Sequence, residues 1–252
     1  MAPVYLDRWW HGGRTRDLST AVAVALVQCL VSWYSAVLMV IVLIVQVGWL
    51  VATDTPTLRR TLSRIFALAI AAVVAGGLLW PFARPFLDLK PPAVDELRAF
   101  SLEPSYYLVP PADTFAGALM TGTSTPATAW DYRRSYFPGL FAAAAALAGV
   151  LGAISVRDLR RLLWALPLGV TGWALSLGPS SASTGWRPFD LLSAVPGVMS
   201  FRVPGRMAVL VAFAIAVLAG AAVRSTPSRY RRVVGLLLLA GQLARLIDGA
   251  GD

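Results

Sequence analysis

Long apolar runs alternate along the chain with short basic turns. The runs cover Leu18 to Ala52, Ile65 to Trp80, Tyr136 or Pro138 to Val156, Leu162 to Leu177, Met207 to Val223 and Val233 to Ile247. None has the period-two alternation of a strand. A hydrocarbon core about 30 Å thick is crossed by roughly 20 apolar helical residues, and lipid accepts only backbone whose hydrogen bonds are satisfied internally. The pattern therefore predicts an all-α fold, a polytopic transmembrane helical bundle forming a single domain over residues 1–252. The first run would be about 50 Å long as one helix at 1.5 Å per residue. Either it is a hairpin of two short helices that breaks at Ser32-Trp33-Tyr34-Ser35, where the aromatic residues suit the interface, or it is one long helix. The bundle then has about seven helices in the first case and six in the second.

Proline and glycine mark the other boundaries. Pro81 and Pro85 are expected to close the span that begins at Ile65, since proline cannot continue the helical ladder. Residues 82–134 form a first outer loop rich in proline, and its apolar content is too low for a core of its own. Pro167 is expected to kink the span from Leu162 to Leu177. Residues 178–206 form a second outer loop, in which Leu191 to Val195 read as a short interfacial helix with Leu191, Leu192 and Val195 on its apolar side. Gly149 with Gly152, and Gly76 with Gly77, are candidates for close helix approach.

Composition sharpens this picture: 57% of residues are hydrophobic and 14% charged, with a mean hydropathy of +0.66, which excludes an ordinary soluble domain. The net charge of +9 comes from basic residues at the ends of the runs and does not imply a nucleic-acid partner. With the N-terminus and the turns around Arg59, Arg157 and Arg224 on one side, that side holds 13 of the 22 basic residues and 4 of the 13 acids. Basic density places it in the cytoplasm, so the protein is expected to be multi-pass with a cytoplasmic N-terminus and both long loops outside. The first residues lack the apolar core and cleavage pattern of a signal peptide.

Candidate chemistry is sparse. The one cysteine, Cys29, and the one histidine, His11, leave no Cys/His metal cluster, no intramolecular disulfide and no Ser/His/Asp triad. No phosphate-loop or dinucleotide fingerprint occurs. No cofactor is expected, and a divalent ion would have only loop acids such as the adjacent Asp95 and Glu96 to hold it. The sharpest feature is Arg202 and Arg206 flanking Pro204-Gly205 at the mouth of the span from Met207. Two permanent, fork-shaped cations at a helix start suit a lipid phosphate or pyrophosphate; headgroup snorkelling around a Pro-Gly turn is the structural alternative. Tyr106 and Tyr107 are either substrate contacts that stack on a sugar ring or interfacial anchors. A transporter is disfavoured, because no ionisable residue stands at mid-membrane in the clear spans and no internal repeat is evident.

Several segments together resemble a known pattern: Ala174-Leu175-Ser176-Leu177-Gly178-Pro179, Pro188-Phe189-Asp190-Leu191-Leu192, Val195-Pro196-Gly197 and Phe201-Arg202-Val203-Pro204-Gly205-Arg206, with Val27-Gln28, Ser32-Trp33-Tyr34 and Tyr107-Leu108-Val109-Pro110-Pro111. The chain resembles the middle and later helices of large bacterial membrane proteins described as 6-pyruvoyl-tetrahydropterin-synthase-related, which are similar to membrane glycosyltransferases of the C type (GT-C). The resemblance implies an inner-membrane location and sugar transfer from a polyprenyl-phosphate donor in envelope-glycan assembly, with membrane lipids and a polyprenyl-phosphate-linked sugar as partners. It gives Arg202 and Arg206 a lipid-phosphate contact. Such enzymes carry a catalytic carboxylate in the first outer loop after the first helix, whereas nothing between Leu18 and Ala52 is acidic. The expectation is an incomplete portion of a longer architecture or a non-catalytic form; within this chain, Asp88 and Glu103 are the remaining candidates for the base. A non-enzymatic scaffold or lipid-handling protein is the alternative.

Overall fold

The computed structural model describes residues 1–54, 57–87, 89, 92–108, 136, 138–156, 162–181, 185–193, 195 and 203–228. Among these residues the fold is all-α, with nine α-helices: α1 Ala2–Gly12, α2 Thr15–Val31, α3 Trp33–Thr53, α4 Leu58–Leu87, α5 Val94–Ala99, α6 Leu140–Ser155, α7 Ala165–Ser176, α8 Phe189–Ser193 and α9 Ala208–Ser225. Short 3-10 turns cover Pro104–Tyr107 and Pro204–Met207. Three helices are long and apolar enough to cross a membrane, Trp33–Thr53, Leu58–Phe86 and Pro204–Ser225, while Leu140–Ser155 and Leu162–Ser176 are shorter apolar helices. On α4 the large side chains of Phe66, Val73, Val74 and Leu78 are all exposed. An apolar surface of that extent has no place in water, and the chain is built as a multi-pass membrane protein. The last expected span, Val233 to Ile247, and the turn at Arg157 lie outside the described residues.

The chain divides into two compact units, residues 1–96 with 190–202, and residues 97–189 with 203–252. In the first unit α2 packs against α1, α3 and α4. The first apolar run is two helices, not one. Ser32 is extended, with φ −165° and ψ 154°, and its hydroxyl accepts the Ser35 N–H at 3.0 Å, capping α3. Trp33 stacks on Phe86 with ring centroids 4.9 Å apart, so this break lies beside the C-terminal end of α4. At the opposite end of the three helices α1 closes the unit with buried Leu6, Trp9 and Trp10. It stops at Gly13, whose φ of 71° only glycine adopts without strain.

One proline expectation is corrected. Helix α4 does not close at Pro81 but continues through Pro81 and Pro85 to Leu87, because each proline deletes one rung while the rest of the ladder propagates through it; the first loop accordingly begins later than residue 82. Pro167 is the third residue of α7, just after the 3-10 turn of residues 162–164 that leads into it, so it stands near the start of this span. The short helix of the second loop covers Phe189–Ser193 in place of Leu191 to Val195, and its buried residue is Phe189, with Leu191 and Val195 exposed.

In the second unit α9 packs against both α6 and α7. The contact is built from small residues, with Ala146, Ala165, Ala214 and Leu218 at its centre. A Cβ at Gly149 would collide with the Leu218 carbonyl, and one at Gly172 would lie 2.6 Å from Leu210 Cβ. Gly76 and Gly77 have open space in the corresponding direction, so of the two glycine pairs singled out above only Gly149 and Gly152 serve close packing.

Candidate functional site

Asp88 and Arg202 lie outside the described residues. The other predicted site residues all fall in the second unit. Glu103 is exposed and precedes the 3-10 turn that carries Tyr106 and Tyr107. This strap is tied down at several points: Leu102 N–H donates to the Ser176 carbonyl at 2.9 Å, Ser101 Oγ to Leu97 O at 2.7 Å, and Arg98 to Ser180 O at 2.8 Å. Gly205 N–H donates to Phe100 O at 3.0 Å, and a Cβ at Gly205 would press on that carbonyl at 3.0 Å and on Leu102 at 3.3 Å. The glycine between the two arginines of the motif is thus the place where strap and turn meet. Arg206 follows it, exposed, in the turn that feeds into α9. The structure brings the segment of Glu103, Tyr106 and Tyr107 to the segment of Arg206.

Tyr107 has a structural task there. Its Oη lies 2.7 Å from Ser176 Oγ, and Ser176 Oγ donates to Trp173 O at 2.6 Å. With the serine proton spent on Trp173, Tyr107 must donate its own. Burial pushes the phenol up to about 12, with the hydrogen bond to Ser176 acting in the opposite direction and Tyr136 adding to the rise. Tyr106 is half-buried. Among the described residues no group of three or more His, Cys, Asp or Glu side chains is placed to hold a metal ion.

The first unit holds a feature that sequence reading missed, a cavity of about 600 Å³ between α2, α3 and α4. Leu18, Ala21, Ala25 and Cys29 line it from α2, Met39, Leu43 and Val47 from α3, and Ile65, Leu68, Ala72, Gly76 and Leu79 from α4. The signal was present as the spacing of three and four residues on α2 and α4, which sets these positions on one face of each helix. On α4 that face is largely alanine and glycine, and small side chains leave the space open.

At the end where α3 stops and α4 starts, a polar cluster adjoins the cavity. Trp10 Nε1 donates to Asp54 Oδ2 at 2.9 Å, and Arg64 Nη1 lies 3.4 Å from the same oxygen. The Arg64 guanidinium also stands over the Trp10 ring, 5.1 Å from its centroid, a cation–π arrangement. Arg60, one turn earlier, reaches the His11 carbonyl at 3.4 Å. Trp10 belongs to the same buried cluster as Leu6 and Ala21, which line the cavity. Deeper in α3, Gln46 is 1% exposed; its Nε2 donates to Pro3 O at 2.7 Å, and its Oε1 has no partner. These contacts hold the N-terminal segment and the start of α4 at one end of the unit.

Comparison of the chain with protein-family models, curated proteins and solved structures finds no match.

Proposed function

We propose that this protein handles a membrane lipid, with a hydrocarbon chain of the lipid lying in the cavity between α2, α3 and α4. The cavity itself carries the reading. Its volume of about 600 Å³ is that of a small-molecule site, its walls are aliphatic, and two of its three helices are long and apolar enough to cross a bilayer. Hydrocarbon chains are the material at hand at that depth. The α4 lining runs from Ile65 to Leu79, about 21 Å along the helix, longer than the roughly 15 Å of one leaflet. An empty apolar space forfeits the dispersion contacts of its walls, so a bound chain stabilises the fold by mass action.

Cys29 supplies the test, since it is the only cysteine of the chain and it faces the cavity. In a short-chain detergent, added phospholipid slows the reaction of Cys29 with N-ethylmaleimide, and Gly76→Leu, which fills the space, abolishes the lipid dependence. A labelling rate that is the same at every lipid concentration refutes the reading.

The second reading is glycosyl transfer from a polyprenyl-phosphate sugar, itself an amphiphile with a long chain. It is favoured by the strap-and-turn contact, which brings the segment of Glu103 to that of Arg206 in one unit. Glu103 would then be the base and Arg206 a phosphate contact, in a bacterial inner membrane with a cytoplasmic N-terminus and about seven crossings, α2, α6 and α7 being short ones. Transfer activity of membranes containing this protein that survives both Glu103→Gln and Arg206→Gln removes that reading and leaves the lipid-chain reading standing.

A further inference from the structure

We propose that the basic turn where α3 gives way to α4 is a headgroup seat, and that it selects a lipid whose headgroup carries a net negative charge on phosphate. The inference rests on the reading of the cavity as a chain site and adds the chemistry of the ligand's polar end.

The polar cluster stands at one end of the cavity and not along its wall. Leu6, Leu18 and Ile65 mark that end of the lining, and the residues just beyond them are polar: Asp54 caps α3, and Arg59, Arg60 and Arg64 occupy the first two turns of α4. Trp9 and Trp10 are buried at the same end. Tryptophan favours the depth of the headgroups, where its ring is dry and its N–H is satisfied, and Trp10 meets that condition through Asp54. A chain lying in the cavity therefore brings its headgroup to these arginines.

The charges at this end do not cancel. Asp54 is committed to Arg64 and Trp10, and His11 offers Arg60 a carbonyl without charge. Asp7 and Asp17 are the other acids of this end, and Arg8, Arg14, Arg16, Arg59 and Arg60 outnumber them; the Arg59 and Arg60 side chains are exposed while Arg64 is buried. Arg64 is a positioning residue: clamped between the Trp10 ring and Asp54, it fixes the first turns of α4, and with them Arg60. Guanidinium groups suit phosphate because their donors are forked and their charge is permanent. A zwitterionic headgroup brings its own cation and gains less from the same seat.

Half-protection of Cys29 in detergent is the measurement, made with phosphatidylglycerol and with phosphatidylcholine of identical chains. The wild-type protein is expected to need several-fold less phosphatidylglycerol. Arg60→Gln raises the phosphatidylglycerol requirement about fivefold, the factor that 1 kcal/mol per basic residue near a membrane surface represents. It leaves phosphatidylcholine unchanged, and Arg60→Lys restores most of the difference. Equal requirements for the two lipids in the wild type, or a shift of both alike in Arg60→Gln, overturn the headgroup seat while the chain site stands. Protection by neither lipid overturns the chain site and the seat together.

Discussion

Removing the Asp54 carboxylate tests the coupling of α1, α3 and α4 most directly. One oxygen, Oδ2, accepts from Trp10 Nε1 at 2.9 Å and from Arg64 at 3.4 Å. A hydrogen bond to a charged group contributes about 1.5–3 kcal/mol. The Arg64 side chain is 8% exposed and that of Asp54 31%, so water screens one partner and the ion pair adds only modestly. Asp54→Ala leaves the buried guanidinium and the indole N–H unpaired, and the expected loss is about 2–4 kcal/mol. Asp54→Asn keeps an acceptor for Trp10 and loses the charge, for about 1–2 kcal/mol. Trp10→Phe keeps an aromatic ring beneath Arg64 but removes the N–H and part of the buried ring. Far-ultraviolet circular dichroism on heating reports all of these. At about 2–4 °C per kcal/mol for a chain of this length, Asp54→Ala lowers the midpoint by roughly 4–16 °C, with Asp54→Asn in between. The double variant Trp10→Phe with Asp54→Ala is expected to cost less than the sum of the single changes. Strict additivity, or an Asp54→Ala protein as stable as wild type, refutes the role of this oxygen.

Further outcomes concern helix packing and the Tyr107 strap and are read by far-ultraviolet circular dichroism. Gly149→Ala drives a methyl into the Leu218 carbonyl and is expected to cost about 1–3 kcal/mol as an overpacked contact, whereas Gly77→Ala, with nothing within 4 Å, is neutral or stabilising by up to about 1 kcal/mol; equal effects contradict the close approach of α6 and α9. Tyr107, raised to about 12 by burial, holds its proton in the folded state after the unfolded state, near its ordinary value of about 10, has begun to release it. Its contribution is complete below about pH 10 and is lost as the pH rises towards 12, so the wild type loses stability over that interval and Tyr107→Phe loses less; parallel curves refute the assignment.

How far the sequence revealed this molecule depended on the range of the interactions. The break at Ser32 was legible because a serine cap and two aromatic residues announce it locally, and the apolar runs were legible because lipid admits few alternatives. Helix α1 was missed: its buried positions, Ala2, Leu6, Trp9 and Trp10, follow helical spacing, but polar residues interrupt them and no apolar run results. Pro81 and Pro85 misled because a proline states what it cannot donate and not what its neighbours will sustain. The two glycine pairs look alike as letters, yet only Gly149 and Gly152 have a helix against them. The cavity and the Trp10–Asp54–Arg64 cluster were out of reach, since the first needs three helices at once and the second joins residues 44 and 10 positions apart.

The prolines of α4 carry a mechanical meaning. Pro81 has no N–H to return to the Gly77 carbonyl and Pro85 none for that of Pro81, so two rungs one turn apart are absent just past the glycine pair. Bending stiffness therefore falls beyond Gly76, where the cavity lining ends at Leu79, while the opposite end is braced by Trp10, Asp54 and Arg64. The groove between the three helices thus has unequal ends: contacts between side chains tie the arginine end, and the end beyond Leu79 is the softer one.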